Sequence, residues 1–358
     1  MWKNEEKRPK PVILGCAGTE VTAAERTLFR SIDPFGFILF KRNCENPEQL
    51  HYLILELQQA VGRDSIQIAI DEEGGRVSRL QPPYWPKYPP ARAFGVMYER
   101  DPEWGIEAIK LYARVLSYQL VKLGFGINCA PVVDLFNPEG SPAIGDRAFS
   151  SFPTIVAALA RAQAETFLSN GVLPVIKHLP GHGKLKTDPH SVLPVIDAPR
   201  AELEGQDFVP FELLKDLPLG MNSHAIFTSL DPALPASLSP IVNNDIIRGT
   251  LGFDGLLLSD DLTMKALNGT PDDLALRALD AGNDIVLHCS GDIAEMEVLS
   301  NVLEPMKDAS WERWKHAKAI ITPLNPAYSP QEDVARLDIL LGGLAFDAVG
   351  DKEKRYSA

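Results

Sequence analysis

The chain has 358 residues, of which 45% are hydrophobic, enough to form a sizeable buried core. Its 48 acidic and 35 basic residues give a formal net charge of −13, which argues against nucleic acid or an anionic membrane surface as a general partner. The first residues contain no secretory apolar segment, and no stretch reaches the length of a membrane span. The four cysteines form no CxxC pair, so we expect a cytoplasmic protein with free thiols.

Apolar, β-branched runs alternate along the chain with helix-length amphipathic segments, which is typical of parallel strands joined by crossover helices. The predicted strands are 12–17, 36–40, 66–71, 127–134, 172–178, 220–224, 255–260 and 284–289. The predicted helices are 46–61, 103–123, 154–169, 201–216, 272–281, 311–321 and 333–341. These units predict a single (β/α)8 TIM barrel, with one domain over 1–345 and a polar tail over 346–358.

Polar residues stand at the carboxyl ends of most of the predicted strands. They are Asp71, Asp134, Lys177 with His178, Ser223 with His224, Asp260 with Asp261, and His288. Active sites of (β/α)8 barrels lie on that face, so we expect these side chains to converge on one pocket. A doubly wound open sheet is the structural alternative, but it would place its ligand at one switch point.

The segment KHLPGHGKLKTDPH, residues 177–190, follows the fifth predicted strand and is rich in groups that titrate near neutral pH. His178 and His182 have the spacing of a helical zinc site, but Pro180 and Gly181 argue against a helix, so we predict no metal. Asp188 lies two residues before His190, and a carboxylate so placed orients an imidazole and stabilises its protonated form. The loop is therefore predicted to hold a catalytic acid/base.

The seventh predicted strand ends in two adjacent carboxylates, Asp260 and Asp261, of which alternation directs only one toward a substrate. A carboxylate facing a separate proton donor is what retaining glycoside hydrolysis requires. An equally simple interpretation is that both aspartates cap the following helix.

The third predicted strand ends in AIDEEGGRVSRL, where Asp71 precedes a Gly-Gly turn and the two arginines Arg76 and Arg79. A carboxylate beside a guanidinium suits sugar hydroxyls, which both donate and accept hydrogen bonds. A structural ion pair that anchors the loop is the alternative. The glycine spacing matches no nucleotide-binding loop.

Six segments in this order resemble family 3 glycoside hydrolases. They are GFILFKRN, IDEEGGRVSRL, INCAPVVD, IGDRAF, KHLPGHG with its later Asp-x-His, and SDDLTM. The resemblance covers roughly residues 12–300. Within the family, the segments resemble most specifically the cytoplasmic β-N-acetylglucosaminidases that recycle bacterial peptidoglycan. It implies a single barrel that needs no cofactor and no metal, and that acts as a monomer on a small-molecule muropeptide or N-acetylglucosaminide.

The resemblance also implies roles for individual residues. Asp260 matches the nucleophile, and His190 with Asp188 matches the acid/base dyad. The N-acetylglucosamine-binding groups match Asp71, Arg79, Arg147, Lys177 and His178. One departure is Pro189, which stands where the family usually has serine and restricts the backbone of Asp188. Both titrating groups are retained, so we expect activity to be retained.

The implied substrate is N-acetylglucosaminyl-1,6-anhydro-N-acetylmuramic acid, with or without its peptide. A family 3 β-glycosidase of another glycone or aglycone specificity is the alternative. A barrel aldolase, with Lys177 forming a Schiff base, is a rival from another class, but it gives the strand-seven aspartates and the Asp188–His190 pair no purpose. A non-catalytic sugar-binding barrel would be expected to lack the dyad or the nucleophile.

Overall fold

The computed structural model describes residues 7–63, 66–185, 193–265 and 267–342. In this part of the chain eight parallel strands close into a barrel, and two further strands pair outside it. The strands are β1 (Lys10–Gly15), β2 (Pro34–Leu39), β3 (Gln67–Ile70), β4 (Ile127–Asn128), β5 (Leu173–Leu179), β6 (Val195–Ile196), β7 (Leu219–Asn222), β8 (Ile226–Phe227), β9 (Leu256–Asp261) and β10 (Ile285–His288). Each predicted run overlaps one barrel strand, so the (β/α)8 prediction is confirmed; β9 is the seventh barrel strand.

Helices surround the barrel. They are α1 (Ala23–Ile32), α2 (Pro47–Val61), α3 (Ala91–Arg100), α4 (Pro102–Leu123), α5 (Pro153–Leu168), α6 (Arg200–Gly205), α7 (Val209–Leu213), α8 (Pro271–Asp280), α9 (Ile293–Val302), α10 (Asp308–Ala319) and α11 (Gln331–Leu340). A π-helix, Ile241–Thr250, takes the helical position between β8 and β9. None of the helices in the described ranges is long and apolar enough to cross a membrane.

Two predicted elements differ from the structure. The helix predicted over 201–216 is wrong, because the segment forms the two short helices α6 and α7. Gly205 is a weak helix former, and Pro210 in the first turn of α7 disfavours a helix that continues through it. The strand predicted over 127–134 is also too long. Its ladder ends at Asn128, three residues before Pro131, which has no backbone N–H to donate.

The barrel strands are buried on both faces, and alternate residues belong to two different apolar layers. Ile13, Val175 and Leu258 belong to the inner cluster, whereas Val12 and Leu14 pack against the surrounding helices. This two-sided burial explains why the strands have near-continuous apolar sequences rather than an alternating pattern. Strands β1 and β10 close the barrel, with Leu14 paired to His288.

Helix α10 packs against the opposite end of the barrel from the carboxyl ends of the strands. Its Trp311 and Trp314 belong to the inner cluster, and the ring of Trp314 meets that of Phe35, near the start of β2, edge to face at 4.8 Å between centroids. Helix α11 packs on α4. The amino-terminal end of the barrel is therefore covered, and the carboxyl end carries the cavity described next.

Candidate active site

A cavity of about 390 Å³ opens at the carboxyl ends of the barrel strands. Its polar lining comes from residues on or just after several different strands. They are Asp71, Glu73, Arg79, Arg147, Lys177, His178, His182, Asp260 and Asp261. Apolar side chains complete the wall, including Phe40, Ile144, Met221, Met264 and Leu287. The predicted convergence is confirmed for Asp71, Lys177, His178 and Asp260. Asp261 also lines the cavity, so the expectation that only one of the two aspartates faces it is wrong.

Asp71 forms ion pairs with two positively charged side chains in this cavity. Its Oδ1 lies 2.9 Å from Nζ of Lys177, and its Oδ2 lies 3.0 Å from Nη2 of Arg79. Burial opposes the charge of Asp71, but Lys177 and Arg79 hold its pKa below the ordinary value. Asp71 and Arg79, the carboxylate and guanidinium predicted to suit sugar hydroxyls, thus form an ion pair. Asp71 is ionised and can accept hydrogen bonds.

Glu73 forms a second carboxylate in the same cluster, and we did not predict it from the sequence. It binds Arg147 through both oxygens, at 2.8 Å to Nε and 2.9 Å to Nη2, and its Oε1 lies 2.6 Å from Nζ of Lys177. Despite burial, Arg147 and Lys177 lower the pKa of Glu73 to about 2. The signal was available, because Glu73 lies two residues after Asp71 at the carboxyl end of β3, where the site residues of such barrels gather.

The loop after β3 brings Arg79 back toward Asp71. Buried Glu72 accepts hydrogen bonds from the backbone N–H groups of Arg79 at 2.8 Å and Leu80 at 3.1 Å. Gly74 has φ of +92°, and a Cβ there would lie 2.4 Å from the carbonyl oxygen of Pro89, so only glycine fits. The predicted Gly-Gly turn is confirmed.

Arg76, the other arginine of this loop, points away from the cluster and ties two loops together. It binds Asp146 at 2.9 Å and the backbone carbonyls of Ala143 and Ile144 at 2.9 and 3.0 Å. These contacts support the turn that carries Arg147. Arg76 therefore acts on the site through the position of Arg147 rather than by contact with the cavity.

The electrostatics of Lys177 argue against the aldolase alternative. A Schiff-base lysine must be a neutral amine to attack a carbonyl, and a lowered pKa favours that form. Burial would lower the pKa of Lys177, but Asp71 and Glu73 outweigh it and raise the pKa above the ordinary value. Lys177 is therefore a fixed cation that donates hydrogen bonds.

His178 and His182, which follow Lys177 in the chain, stack with 4.5 Å between ring centroids. Nδ1 of His178 lies 2.7 Å from Oδ2 of Asp134, and the backbone N–H of His182 donates to Oδ1 of Asp134 at 2.6 Å. Nε2 of His182 contacts the hydroxyl of Ser223. Burial, and then Arg147, lowers the pKa of His178 to about 3, so this ring is neutral.

In the described part of the chain, one group of residues could offer metal ligands: Asp134, His178 and His182. Candidate ligand atoms of Asp134, His178 and His182 all lie within 4.8 Å of one another. The segment with Pro180 and Gly181 is not helical, as predicted, because strand β5 runs through His178 and ends at Leu179. The rings of His178 and His182 are nevertheless in contact. Oδ1 of Asp134 accepts the backbone N–H groups of both histidines, and Oδ2 contacts Nδ1 of His178, which makes a hydrogen-bonded network the interpretation that fits these contacts.

The two aspartates at the end of β9 have different surroundings. Asp261 binds Thr263 through its backbone N–H at 2.9 Å and its hydroxyl at 2.7 Å, and it accepts from the backbone N–H of Cys289 at 3.1 Å. Asp260 accepts one such bond, on Oδ1, from the backbone N–H of Asp261 at 2.9 Å. Its Oδ2 has no protein partner among the residues described and is available to a ligand.

The Asp188–His190 dyad lies outside the described residues, but the chain on both sides of it is described. Before it, Leu185 is fully buried, and its carbonyl accepts from the backbone N–H of Ser141 at 2.6 Å. After it, β6 pairs with β8, which follows β7. The described residues on both sides of the dyad therefore lie at the carboxyl face of the barrel, where the cavity opens.

Four polar residues predicted at strand ends do not line the cavity: Asp134, Ser223, His224 and His288. His224 contacts the hydroxyl of Ser237 at 2.6 Å and the backbone carbonyl of Asp261 at 3.0 Å. His288 is buried and lies 3.4 Å from a carboxylate oxygen of Glu295 on α9, outside the barrel. Alternation along β10 explains this, since its neighbours Leu287 and Cys289 face the cavity instead.

A closed (β/α)8 barrel with charged groups gathered in a cavity at its carboxyl ends is the arrangement of a barrel enzyme. Residues 19–319 match the family model described as the glycosyl hydrolase family 3 N terminal domain. The chain therefore belongs to glycosyl hydrolase family 3 and is a glycoside hydrolase.

Individual relatives agree with this assignment. A beta-hexosaminidase of Alkalilimnicola ehrlichii is 37% identical over 299 residues, covering 82% of this chain and 85% of the relative. The crystal structure of NagZ from Neisseria gonorrhoeae in complex with N-trifluoroacetyl-D-glucosamine is similar at a TM-score of 0.83, with 29% identity, covering 94% of this chain and 98% of that one. A family 3 beta-N-acetylglucosaminidase from Paenibacillus sp. is similar at a TM-score of 0.74, with 27% identity, covering 97% of this chain and 66% of that one.

Proposed function

We propose that the chain is a retaining exo-β-N-acetylglucosaminidase with Asp260 as nucleophile and His190, supported by Asp188, as acid/base. The observation that carries the proposal is the asymmetry of the two aspartates on β9. Asp261 is held by Thr263 and Cys289. Asp260 lines the cavity that holds the Asp71 ion pairs, and its Oδ2 has no partner among the described residues. The names of the relatives support N-acetylglucosamine as the glycone.

In the first step a carboxylate oxygen of Asp260 bonds to the anomeric carbon while the bond to the leaving oxygen breaks. His190 gives its proton to that oxygen, so the aglycone leaves as an alcohol. In the second step His190 takes a proton from water, the water oxygen bonds to the anomeric carbon, and the bond to Asp260 breaks. Two inversions return the β configuration and restore both groups.

The ion-pair cluster would bind the glycone. Asp71 offers acceptor oxygens, whereas Lys177, Arg79 and Arg147 offer donors, and the members of the cluster hold one another in place. Sugar hydroxyls can donate and accept at once, so they can enter such a network without leaving a buried charge unpaired. The neutral ring of His178 lines the same cavity.

The substrate we propose is N-acetylglucosaminyl-1,6-anhydro-N-acetylmuramic acid, with or without peptide, released during cell-wall turnover. Cleavage would remove the terminal N-acetylglucosamine as part of peptidoglycan recycling in the cytoplasm, by a monomer that needs no metal. A family 3 glycosidase acting on another glycone or aglycone is the alternative. A panel of nitrophenyl glycosides separates the glycones, and intact muropeptides separate the aglycones.

The decisive experiment is hydrolysis of a chromogenic N-acetyl-β-D-glucosaminide by the wild type beside Asp260→Ala and His190→Ala. We expect turnover by the wild type and a loss of about four orders of magnitude in the nucleophile variant. A wild type that cleaves β-glucosides but not N-acetylglucosaminides would replace the proposed glycone. A fully active Asp260→Ala enzyme would refute the mechanism.

The nucleophile can also be identified chemically. A fluorinated N-acetylglucosaminide analogue with a good leaving group should accumulate as a glycosyl ester on Asp260, which peptide mass spectrometry locates. The neighbouring Asp261 is the internal control, because its oxygens are engaged by Thr263 and Cys289. An adduct on Asp261 would overturn the assignment.

A further inference from the structure

Asp134 is buried and does not line the cavity, yet it makes three contacts with residues that do. Its Oδ1 accepts the backbone N–H of His178 at 3.2 Å and that of His182 at 2.6 Å. Its Oδ2 lies 2.7 Å from Nδ1 of the His178 ring. One carboxylate therefore fixes both the turn that carries the two histidines and one edge of the His178 imidazole.

The contacts of Asp134 determine which nitrogen of His178 carries the proton. The two backbone N–H groups require an acceptor at Oδ1, and an ionised carboxylate is also an acceptor at Oδ2. Burial raises the pKa of Asp134 above its ordinary value, but Oδ1 accepts the backbone N–H groups of both His182 and His178, and hydrogen bonds of this kind stabilise the ionised carboxylate. A neutral imidazole beside this acceptor must place its proton on Nδ1.

Consequently Nε2 of His178 carries a lone pair. His178 lines the cavity, and its Nε2 has no partner among the residues described. The neighbouring Lys177 can only donate. An acceptor on His178 would complement this donor within the glycone site.

We infer that Asp134 is a positioning residue that holds His178 in the Nδ1–H tautomer, so that Nε2 accepts a hydrogen bond from one hydroxyl of the bound sugar. The inference rests on the proposed function, because it concerns the glycone site of that reaction. His182 supports the same ring from one face by stacking, and Ser223 holds His182 in turn. Asp134 acts on the substrate only through His178.

Asp134→Asn tests this inference with almost no change of shape. The two backbone N–H groups keep the amide oxygen at the Oδ1 position, so the amide NH₂ must face Nδ1 of His178. A donor at that place forces the ring into the Nε2–H tautomer and turns the cavity-facing acceptor into a donor. The first measurement is the ¹⁵N spectrum of the imidazole groups at neutral pH, with His178→Gln used to assign the His178 signals.

We expect Nδ1–H in the wild type and Nε2–H in Asp134→Asn. An Nε2–H tautomer in the wild type, or the same tautomer in both proteins, overturns the inference. The spectrum of the wild type decides this even if the variant does not fold. Because it needs no substrate, it also separates this inference from the proposed function, whose failure would appear as an absence of N-acetylglucosaminidase activity.

The second measurement is kcat/KM on nitrophenyl N-acetylglucosaminides in which each free ring hydroxyl is replaced in turn by hydrogen. On the complete sugar we expect kcat/KM of Asp134→Asn to be about tenfold to hundredfold lower than that of the wild type. This is the loss expected when one hydrogen bond is replaced by two donors that face each other. On the analogue that lacks the contacted hydroxyl, the difference between the two enzymes should disappear. An equal loss on every analogue would indicate a merely structural role and contradict the inference.

Asp231→Asn is the matched control. Asp231 is also a buried aspartate whose Oδ1 accepts two backbone N–H groups, from Ala233 at 2.9 Å and Leu234 at 3.3 Å, while its Oδ2 accepts the hydroxyl of Ser239 at 2.6 Å. It does not line the cavity. The same chemical change there should leave the His178 tautomer and the analogue series as in the wild type.

Discussion

Glu73 binds the guanidinium of Arg147 with both carboxylate oxygens, and one of those oxygens also binds Lys177. Since Lys177 also binds Asp71, which binds Arg79, five charged side chains form one continuous cluster. Removal of one member leaves its buried partners without a counter-charge. The cluster should therefore respond to substitution as a unit, both in stability and in binding.

Glu73→Gln should lower both stability and sugar affinity. The amide keeps the shape but removes the charge that Arg147 and Lys177 share, and breaking a buried pair costs about 3 kcal/mol. We expect a lower midpoint in thermal unfolding and a higher KM for a chromogenic N-acetylglucosaminide. An unchanged KM would show that Glu73 only supports the fold.

Glu99→Gln is the control for that variant. Glu99 makes a similar bidentate pair with Arg92, at 2.9 and 3.0 Å, but it does not line the cavity and its side chain is more exposed than that of Glu73. Partly exposed pairs contribute about 1 kcal/mol or less. The control should lose little stability and keep the wild-type KM.

Asp260→Ala and Asp261→Ala should fail in different ways. The first variant should keep its unfolding midpoint and lose turnover, and azide should restore product formation by occupying the space of the missing carboxylate. The second variant should lose the contacts to Thr263 and Cys289, which lowers the free energy of unfolding by about 2 kcal/mol. It should therefore unfold at a lower temperature. Azide rescue of Asp261→Ala instead of Asp260→Ala would reverse the assignment of the nucleophile.

Asp188→Ala should reduce kcat more than it raises KM, because the carboxylate is proposed to support His190 rather than to bind the sugar. We expect a loss of about a hundredfold in kcat. A neighbouring carboxylate stabilises an imidazolium, so the fall of kcat/KM at high pH should move to lower pH in the variant. Asp197→Ala is the control, since that carboxylate binds Thr228 at 2.7 Å just after β6.

Asp207→Asn should change how stability depends on pH. Burial raises the pKa of Asp207 to about 6, although Lys184 opposes the shift from 3.6 Å. Between the unfolded and folded pKa values the folded protein binds the extra proton, so the wild type loses stability as pH rises through this interval. The variant has no such proton, and its stability relative to the wild type should increase by up to about 3 kcal/mol from about pH 4 to about pH 8. A constant difference in unfolding free energy would contradict this prediction.

The barrel and the place of its site could be predicted from the sequence because two-sided burial makes each strand a continuous apolar run. Parallel strands bring their carboxyl ends to one face, so Asp71, Lys177 and Asp260 could be placed together before any contact was known. The limits of β4 and the break between α6 and α7 could not be predicted reliably. They depend on how Pro131, Gly205 and Pro210 act within a particular tertiary setting.

The partners within the site were harder to predict than its members. Glu73 lies in the IDEEGGRVSRL segment, but nothing local to the sequence indicates that it reaches Arg147, which is 74 residues away. The stacking of His178 on His182 also could not be predicted, since the same spacing without a helix usually separates two side chains. Such contacts follow from where loops return, and loop paths are set by the whole fold.

The barrel closes through the pairing of β1 with β10, which joins Leu14 to His288. During synthesis, strand β1 therefore cannot pair with β10 until more than two hundred further residues have been made. Until then, both edges of the incomplete sheet expose backbone N–H and C=O groups. Such long-range closure slows folding and leaves the nascent chain open to edge-to-edge association. Yield on expression should therefore depend on chaperone capacity more steeply than the stability of the finished enzyme would suggest.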